Sequence, residues 1–525
     1  MYRSWHETEE SGWCGIEGLV MDGKGYGSAG ASRSRRSTKG FLARSGSPRE
    51  DIDFNNYTLR QRGRLLYMGN SVAASGIKTH RTNTIGIGLK PNPRPDLPYL
   101  NMAPEAGARW IDNVKREFAL WADRKTSCDA TGINSFYDLQ QMLFTSWLTT
   151  GDVFVLVENV QPTWREPYSL RLKAVEGDLV ATPEGTVYGK TTGRNPDNGN
   201  RIFDGVEVDS NGRVVAYWFR NTYPYELSDV QTEYKRVEAI GKATGLPNVL
   251  HIISTERPDQ YRGVGLLSPV VIPLLQLNRY TEAELTAAII GSFMTAFITT
   301  EIPEGAIFNE AYPQEEGAEG VSDDPNEYEM GAGTINYMKP GEDIKQVDPT
   351  HPTTGYDAFV NAMCSQIGAA LEIPRELLLK QFTSSYSASR GALLEAWKSF
   401  KTYRQWFVDD FCRPVYELWM TEAVARGRIS APGYFNNPAI REAWLSTQWI
   451  GPSQGQLDPV KEVNAEILAC QNGFSTREDS ALRINGSDFD TNVQRLIREA
   501  AKMAEIAPVQ TDNDNDNDEE DDRDA

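Results

Sequence analysis

The sequence predicts an α+β fold that is mainly helical. Three observations predict it: two long runs, Leu266 to Ile298 and Ala388 to Arg426, read as helices with few breaks; a block from Val153 to Ser254 carries short alternating strands; and helix returns from Pro459 to Ile506. With 525 residues, 40% hydrophobic and 24% charged, the chain can bury a sizeable core and fold as more than one compact unit.

In chain order, residues 1–50 come first as a flexible arm rich in Gly, Ser and Arg, with no sustained apolar period. It serves either as a solubilising end or as a docking arm. Asn56 to Ser75 then reads as helix, with Leu59, Leu65, Leu66, Met68 and Val72 on broadly one side. Trp110 to Ala122 and Phe136 to Leu148 are amphipathic helices whose Trp and Phe residues are expected in the core. Gly151-Asp152 ends that block, and strands follow at Val153 to Val157, Leu170 to Gly177, Asp204 to Phe219 and Asn248 to Ser254. Asn211-Gly212 between two alternating runs marks a hairpin, because both residues tolerate the positive φ of a tight turn.

Leu266 to Ile298 is expected to be a continuous rod of roughly 45 Å at ~1.5 Å per residue. Its small positions Ala283, Ala287, Ala288, Gly291, Ser292 and Ala296 suit close packing against other helices. Glu301 to Asp348 reads as an inserted module with short strands at Thr334 to Met338 and Ile344 to Val347. Helix resumes at Gly355 to Leu371 and breaks at Ile373-Pro374. After the polar span Lys380 to Ser387, the second long helix begins.

Charge is unevenly spread. Gly23 to Arg49 holds seven cations and no acid, whereas Thr511 to Ala525 carries nine acids against one Arg. The net charge is −20, and the body stays acidic without that tail, which argues against tight DNA binding by phosphate neutralisation. The alternating Asp512, Asp514 and Asp516 lack the Gly of a calcium loop, so no metal is expected. The five cysteines have no paired spacing, which points to a reducing compartment. No signal sequence opens the chain, the most apolar span, Leu285 to Thr300, is too short for a bilayer, and a soluble cytosolic product is expected.

Chemistry is hard to find. The sequence contains no His-Glu-x-x-His, Gly-x-Ser-x-Gly or phosphate-loop motif, and His80 and His251 read as structural. No catalytic residue and no cofactor is expected.

Several strings, in order, resemble the lambda-like family of tailed-phage portal proteins from about Tyr26 to about Ala501: YTLRQRGRLLYMGN, TNTIGIGL, FYDLQ, GVEVDSNGRVVAYW, ERPDQYRGVGLLSPV, MKPGEDI, LEIPRELL, SSYSASRGALLEAW and DPVKEVNA. The resemblance implies a ring of about twelve copies at one capsid vertex, with wing, stem, clip and crown around a channel for double-stranded DNA. It implies a wing over 51–265, a first stem helix over 266–300, a clip over 301–350 and a second stem helix over 351–371. It further implies a tunnel loop over 372–387, a long helix and wing return over 388–457, a crown over 458–506 and an acidic tail over 507–525.

On that mapping Arg375, Lys380, Gln381, Thr383, Ser384 and Ser385 face the channel, where isolated cations offer brief contacts to phosphates. Arg257, Gln260, Arg262 and Arg390 act at the subunit interface or wing–stem junction, or fix the fold within one subunit. Glu315, Glu316, Glu319, Asp323 and Asp324 in the clip meet partners. Those implied are the terminase large subunit, a head completion or connector protein, the major capsid protein and scaffold; no membrane is involved. The alternatives are another head or tail structural protein, or a metal-dependent enzyme acting on nucleic acid.

Overall fold

The structure is a computed structural model that describes residues 46–183, 192–224, 231–292, 296–300, 342–346, 355–382, 385–455 and 458–506, with single residues 31, 36, 38 and 226. The chain divides into Met1–Ser47 and Pro48–Ala525, and every helix and strand named here belongs to the second unit. The acidic tail, nearly all of the basic arm and most of the inserted module lie outside the described residues.

A π-turn, Arg49–Asp53, leads into α1 (Phe54–Gly69). Asn70 then caps α2 (Ser71–Thr84) by accepting a hydrogen bond from Ala73 N at 2.8 Å. The expected helix over Asn56 to Ser75 is therefore two helices, and its buried face is not the apolar one. Asn56, Arg60, Gly63 and Leu66 point inward, while Leu65 and Met68 are 68% and 74% exposed. Charge overrode apolar periodicity here, because Arg60 faces a buried carboxylate cluster.

β1 (Lys90–Pro93) pairs with the late strand β12 (Thr447–Ile450). α3 (Pro104–Ala122), the short α4 (Lys125–Cys128) and α5 (Phe136–Thr150) follow. A capping box starts α5: Ser135 Oγ receives Asp138 N while the Asp138 carboxylate receives Ser135 N. Gly151 ends it at φ +96°, in a region side chains rarely adopt.

β2 (Asp152–Asn159) lies between β3 (Leu170–Glu176) and β9 (Val249–Ile253), antiparallel to both. A second antiparallel sheet runs in order β4 (Thr192–Arg194), β5 (Arg201–Phe203), β6 (Val206–Val208), β7 (Val214–Arg220) and β8 (Tyr234–Glu238). The Asn211-Gly212 hairpin joins β6 to β7, with positive φ at Gly212 alone. Asp209 closes its loop by accepting from Asn211 N and Arg213 N, and a register shift sits at Glu207/Val208.

The long apolar run divides. Ser268–Val270 is a 3₁₀ turn, α6 spans Val271–Ser292, and β10 (Ala296–Thr300) pairs antiparallel with β11 (Glu342–Gln346). The rod is thus 22 residues long, about 33 Å. The correction follows from local chemistry, since Phe297, Ile298, Thr299 and Thr300 are aromatic or β-branched and favour a strand. Thr334 to Met338 lies outside the described residues.

α7 (Tyr356–Ala370), α8 (Arg375–Leu379) and α9 (Tyr386–Phe407) follow, and a π-turn at Val408–Cys412 carries α9 into α10 (Arg413–Ala425). α11 (Pro438–Leu445) precedes β12, and Pro459 to Ile506 comprises α12 (Pro459–Gln471), α13 (Arg477–Asn485) and α14 (Phe489–Ile506).

The main core lies where α3, α5, α9 and α10 meet. Phe118, Phe136, Phe411 and Trp419 are buried there, with Phe118 edge-on to Trp419 at 4.9 Å and Phe136 stacked on Phe411 at 5.6 Å. A smaller core of Phe154, Val180, Phe203, Val206 and Tyr217 joins the two larger sheets. The architecture is α+β and mainly helical. No helix among the described residues is long and apolar enough to cross a membrane.

Candidate functional site

Between the two cores sits a charge cluster built on Arg262. Its guanidinium is wholly buried, and its donors are spent inside the chain. Nε donates to Asp152 Oδ2 at 2.6 Å and Nη2 to Asp152 Oδ1 at 3.2 Å, a two-pronged clamp on a carboxylate that is itself wholly buried. Nη1 donates to Asp204 Oδ2 at 2.8 Å, Val180 O at 3.0 Å and Asp204 O, while Nη2 reaches Gly177 O at 2.7 Å. Arg60 of α1 lies 3.1 Å from Asp204 Oδ2 and 3.7 Å from Asp152 Oδ1. Arg64, one turn on, pairs with Asp178 and with Glu176 at 3.1 Å.

The backbone makes this clamp possible. Asp152 opens β2 directly after Gly151, whose positive φ turns the chain out of α5. Gly263 N donates to Asp152 Oδ2 at 3.0 Å, and a Cβ at Gly263 would collide with the Gly151 carbonyl.

The electrostatics divide the carboxylates. Burial opposes ionisation of Asp152, yet the Arg262 and Arg60 charges prevail and hold it well below the ordinary range. Asp53, at the start of α1, goes the other way: burial, then the Asp204 charge, push it up to about 7. The arrangement binds five segments to one another: α1, the head of β2, residues 176–180, Asp204 and residues 262–263.

Gln260 supports the same segment. It accepts from Glu256 N at 2.9 Å and Arg257 N at 3.2 Å and donates to Arg262 O at 2.9 Å. Arg257 pairs with Asp51 at the surface. Arg390 lies apart from these three, on α9, 3.9 Å from Glu462 of α12.

The second feature is the loop between α7 and α9. Glu372 adopts φ +56°, and the chain turns at Ile373-Pro374 into α8. Lys380 terminates α8 in the left-handed conformation, φ +58°, with Gln381 N donating to Glu376 O at 3.1 Å. Lys380 Nζ donates to Thr79 Oγ1 of α2 at 2.6 Å, and burial lowers its pKa. Arg375 lies at the start of α8, 4.0 Å from Glu376. Ser385 caps α9 by accepting from Ala388 N. Thr383 and Ser384 lie outside the described residues, as do Glu315, Glu316, Glu319, Asp323 and Asp324.

Beneath the loop, His80 of α2 is wholly buried, edge-on to Phe400 and Tyr403, with Nε2 2.8 Å from Leu371 O. Burial pushes its pKa down to about 4. It is neutral, and it anchors the loop's first residues to α2.

Sequence reasoning missed Asp152, Asp204, Asp53 and Arg60. The one signal was Gly151-Asp152, a glycine followed at once by an acid at the head of an apolar strand. Among the described residues no three His, Cys, Asp or Glu side chains gather to hold a metal ion.

Comparisons with known proteins extend over most of these elements. Portal protein B of Escherichia phage lambda is 22% identical over 450 residues, covering 83% of this chain and 81% of its own. A probable portal protein of Halomonas phage phiHAP-1 is 24% identical over 471 residues, covering 87% and 83%. Among solved structures, a chain from the virion of a native gene transfer agent particle aligns at 15% identity and a TM-score of 0.41, covering 82% of this chain and 92% of its own. The profile described as "Phage portal protein, lambda family" matches residues 34–404, well over half of the chain and spanning the Arg262 clamp, α6 to α8 and nearly all of α9, and the chain therefore belongs to that family.

Proposed function

We infer that the chain works as the portal of a tailed phage: identical copies form a ring of about twelve at one capsid vertex, and double-stranded DNA passes through the ring on packaging and ejection. The family match over residues 34–404 carries this reading. The acidic body suits it, since a channel for a polyanion must guide the duplex without holding it, and negative walls repel phosphates.

In this reading the loop over 372–387 faces the channel. Lys380 and Arg375 touch passing phosphates, flanked by Gln381, Thr383, Ser384 and Ser385. The hydrogen bond of Lys380 to Thr79 is one it can exchange for a phosphate oxygen, because the side chain is on a surface loop. The acids between 315 and 324 face partners bearing basic patches: the terminase large subunit during filling, then a head completion or connector protein. The ring nucleates the shell with the major capsid protein and scaffold, and its place is the portal vertex of the virion.

The role is structural, without catalysis. A Lys380→Glu phage tests the loop: DNA filling should fall while purified rings keep their size and melting temperature. Normal filling would remove Lys380 from the channel.

A further inference from the structure

On this acidic protein one surface is cationic. A cleft of about 600 Å³ along the α9–α10 junction is lined by Arg94, Lys401, Arg404 and Arg413, with Ser446 and Gln448 and no carboxylate. It continues through Lys401 and Arg404 into a second cleft of about 710 Å³ against α12 and α13, where Arg390, Lys461 and Arg483 meet Glu462 and Glu466.

Two of these cations lack counter-charges among the described residues. Arg404 makes its hydrogen bonds to carbonyls, those of Thr84 at 2.9 Å, Asn83 at 3.0 Å and Pro452 at 2.9 Å. Its pKa is lowered to about 10 by burial, with no acid to offset it. Lys401 is exposed and forms no ion pair among the described residues. Guanidinium and ammonium groups held together in this way attract an anion.

We propose that the acidic C-terminal segment of this chain, residues 507–525, docks in this double cleft. Charge complementarity favours that occupant: nine acids against one Arg meet a cleft whose Lys401 and Arg404 have no ion pair among the described residues, while its Arg94 and Arg413 are paired with Glu478 and Asp409. Size favours it too, since clefts of about 300–1,000 Å³ suit ligands the size of a few residues rather than a duplex. The reach is sufficient. α13 lines the second cleft, and α14, which begins shortly after it, is 18 residues or about 27 Å long. The segment beyond it spans up to about 60 Å when extended, at roughly 3.3 Å per residue.

The test uses full-length protein and a fluorescein-labelled peptide of residues 507–525, in low salt. A variant with Asp512→Asn, Asp514→Asn, Asp516→Asn, Asp518→Asn, Glu519→Gln, Glu520→Gln, Asp521→Asn, Asp522→Asn and Asp524→Asn should bind the peptide at least tenfold more tightly than the parent chain, whose own segment already fills the cleft. Adding Lys401→Glu and Arg413→Glu to that variant should weaken binding at least tenfold, and Lys401→Glu alone should weaken it in part, with melting curves superimposable throughout. Equal affinity in parent and tail-neutralised chains, or binding that survives charge reversal, would overturn the proposal. So would a labelled DNA duplex that binds the tail-neutralised chain through Lys401 and Arg413 more tightly than the peptide does.

Discussion

Arg262 is the residue on which the fold of the strand-rich half depends, because it neutralises a carboxylate that has no access to water. Removing it leaves Asp152 buried without its two-pronged clamp, with Arg60 at 3.7 Å, His251 Nε2 at 3.6 Å and the Gly263 N–H as the neighbours that remain. Arg262→Ala should therefore cost about 3–5 kcal/mol, read as a lower denaturant midpoint of the isolated chain. Arg262→Lys should recover only part, since an ammonium cannot clamp both oxygens. Asp53 sets a pH dependence of the opposite sense to that of Asp152. Its folded pKa near 7 lies above the ordinary value, so the stability it contributes is complete below about pH 4 and lost as pH rises through 7. Asp53→Asn should raise stability at pH 8 by on the order of 1–2 kcal/mol and change little at pH 4, as thermal melts at the two pH values will show. The sequence singled out Arg262 and Gln260 but not their partners. Asp204 lies 58 positions from Arg262 and Asp152 lies 110, and only the fold brings them together.

At the scale of elements, what was legible is what local periodicity encodes. α3, α5, α7 and the α9–α10 rod follow helical spacing, and the β6–β7 hairpin follows from Asn211-Gly212. Two elements failed for physical reasons. α1 buries Arg60 rather than Leu65 and Met68, because a buried carboxylate cluster outweighs two apolar side chains. The apolar run after Leu266 changes to strand at Ala296, because β-branched residues succeed the alanines. α6 itself leaves Ile272, Leu275, Leu285 and Ile289 between 43% and 66% exposed, apolar surface that an isolated chain does not bury. Covering each in an assembly is worth about 1–2 kcal/mol, since each is already about half buried. Leu285→Glu should therefore leave the fold of the monomer intact, with a melting temperature within a few degrees of the parent, and abolish rings in sizing experiments.

For the whole molecule, the order of blocks along the chain was more informative than any one motif. The family could be read from the strings between Tyr26 and Ala501, while the polar loop at Lys380 and the cationic cleft at Lys401 gave no local signal of their shape. We propose that the apolar α6 surface of this acidic chain is covered by copies of itself. Electron microscopy of the purified protein, paired with native mass, tests that claim most directly. The account predicts closed rings of about twelve subunits with a central hole; a compact monomer under every condition, including within assembling particles, would contradict it.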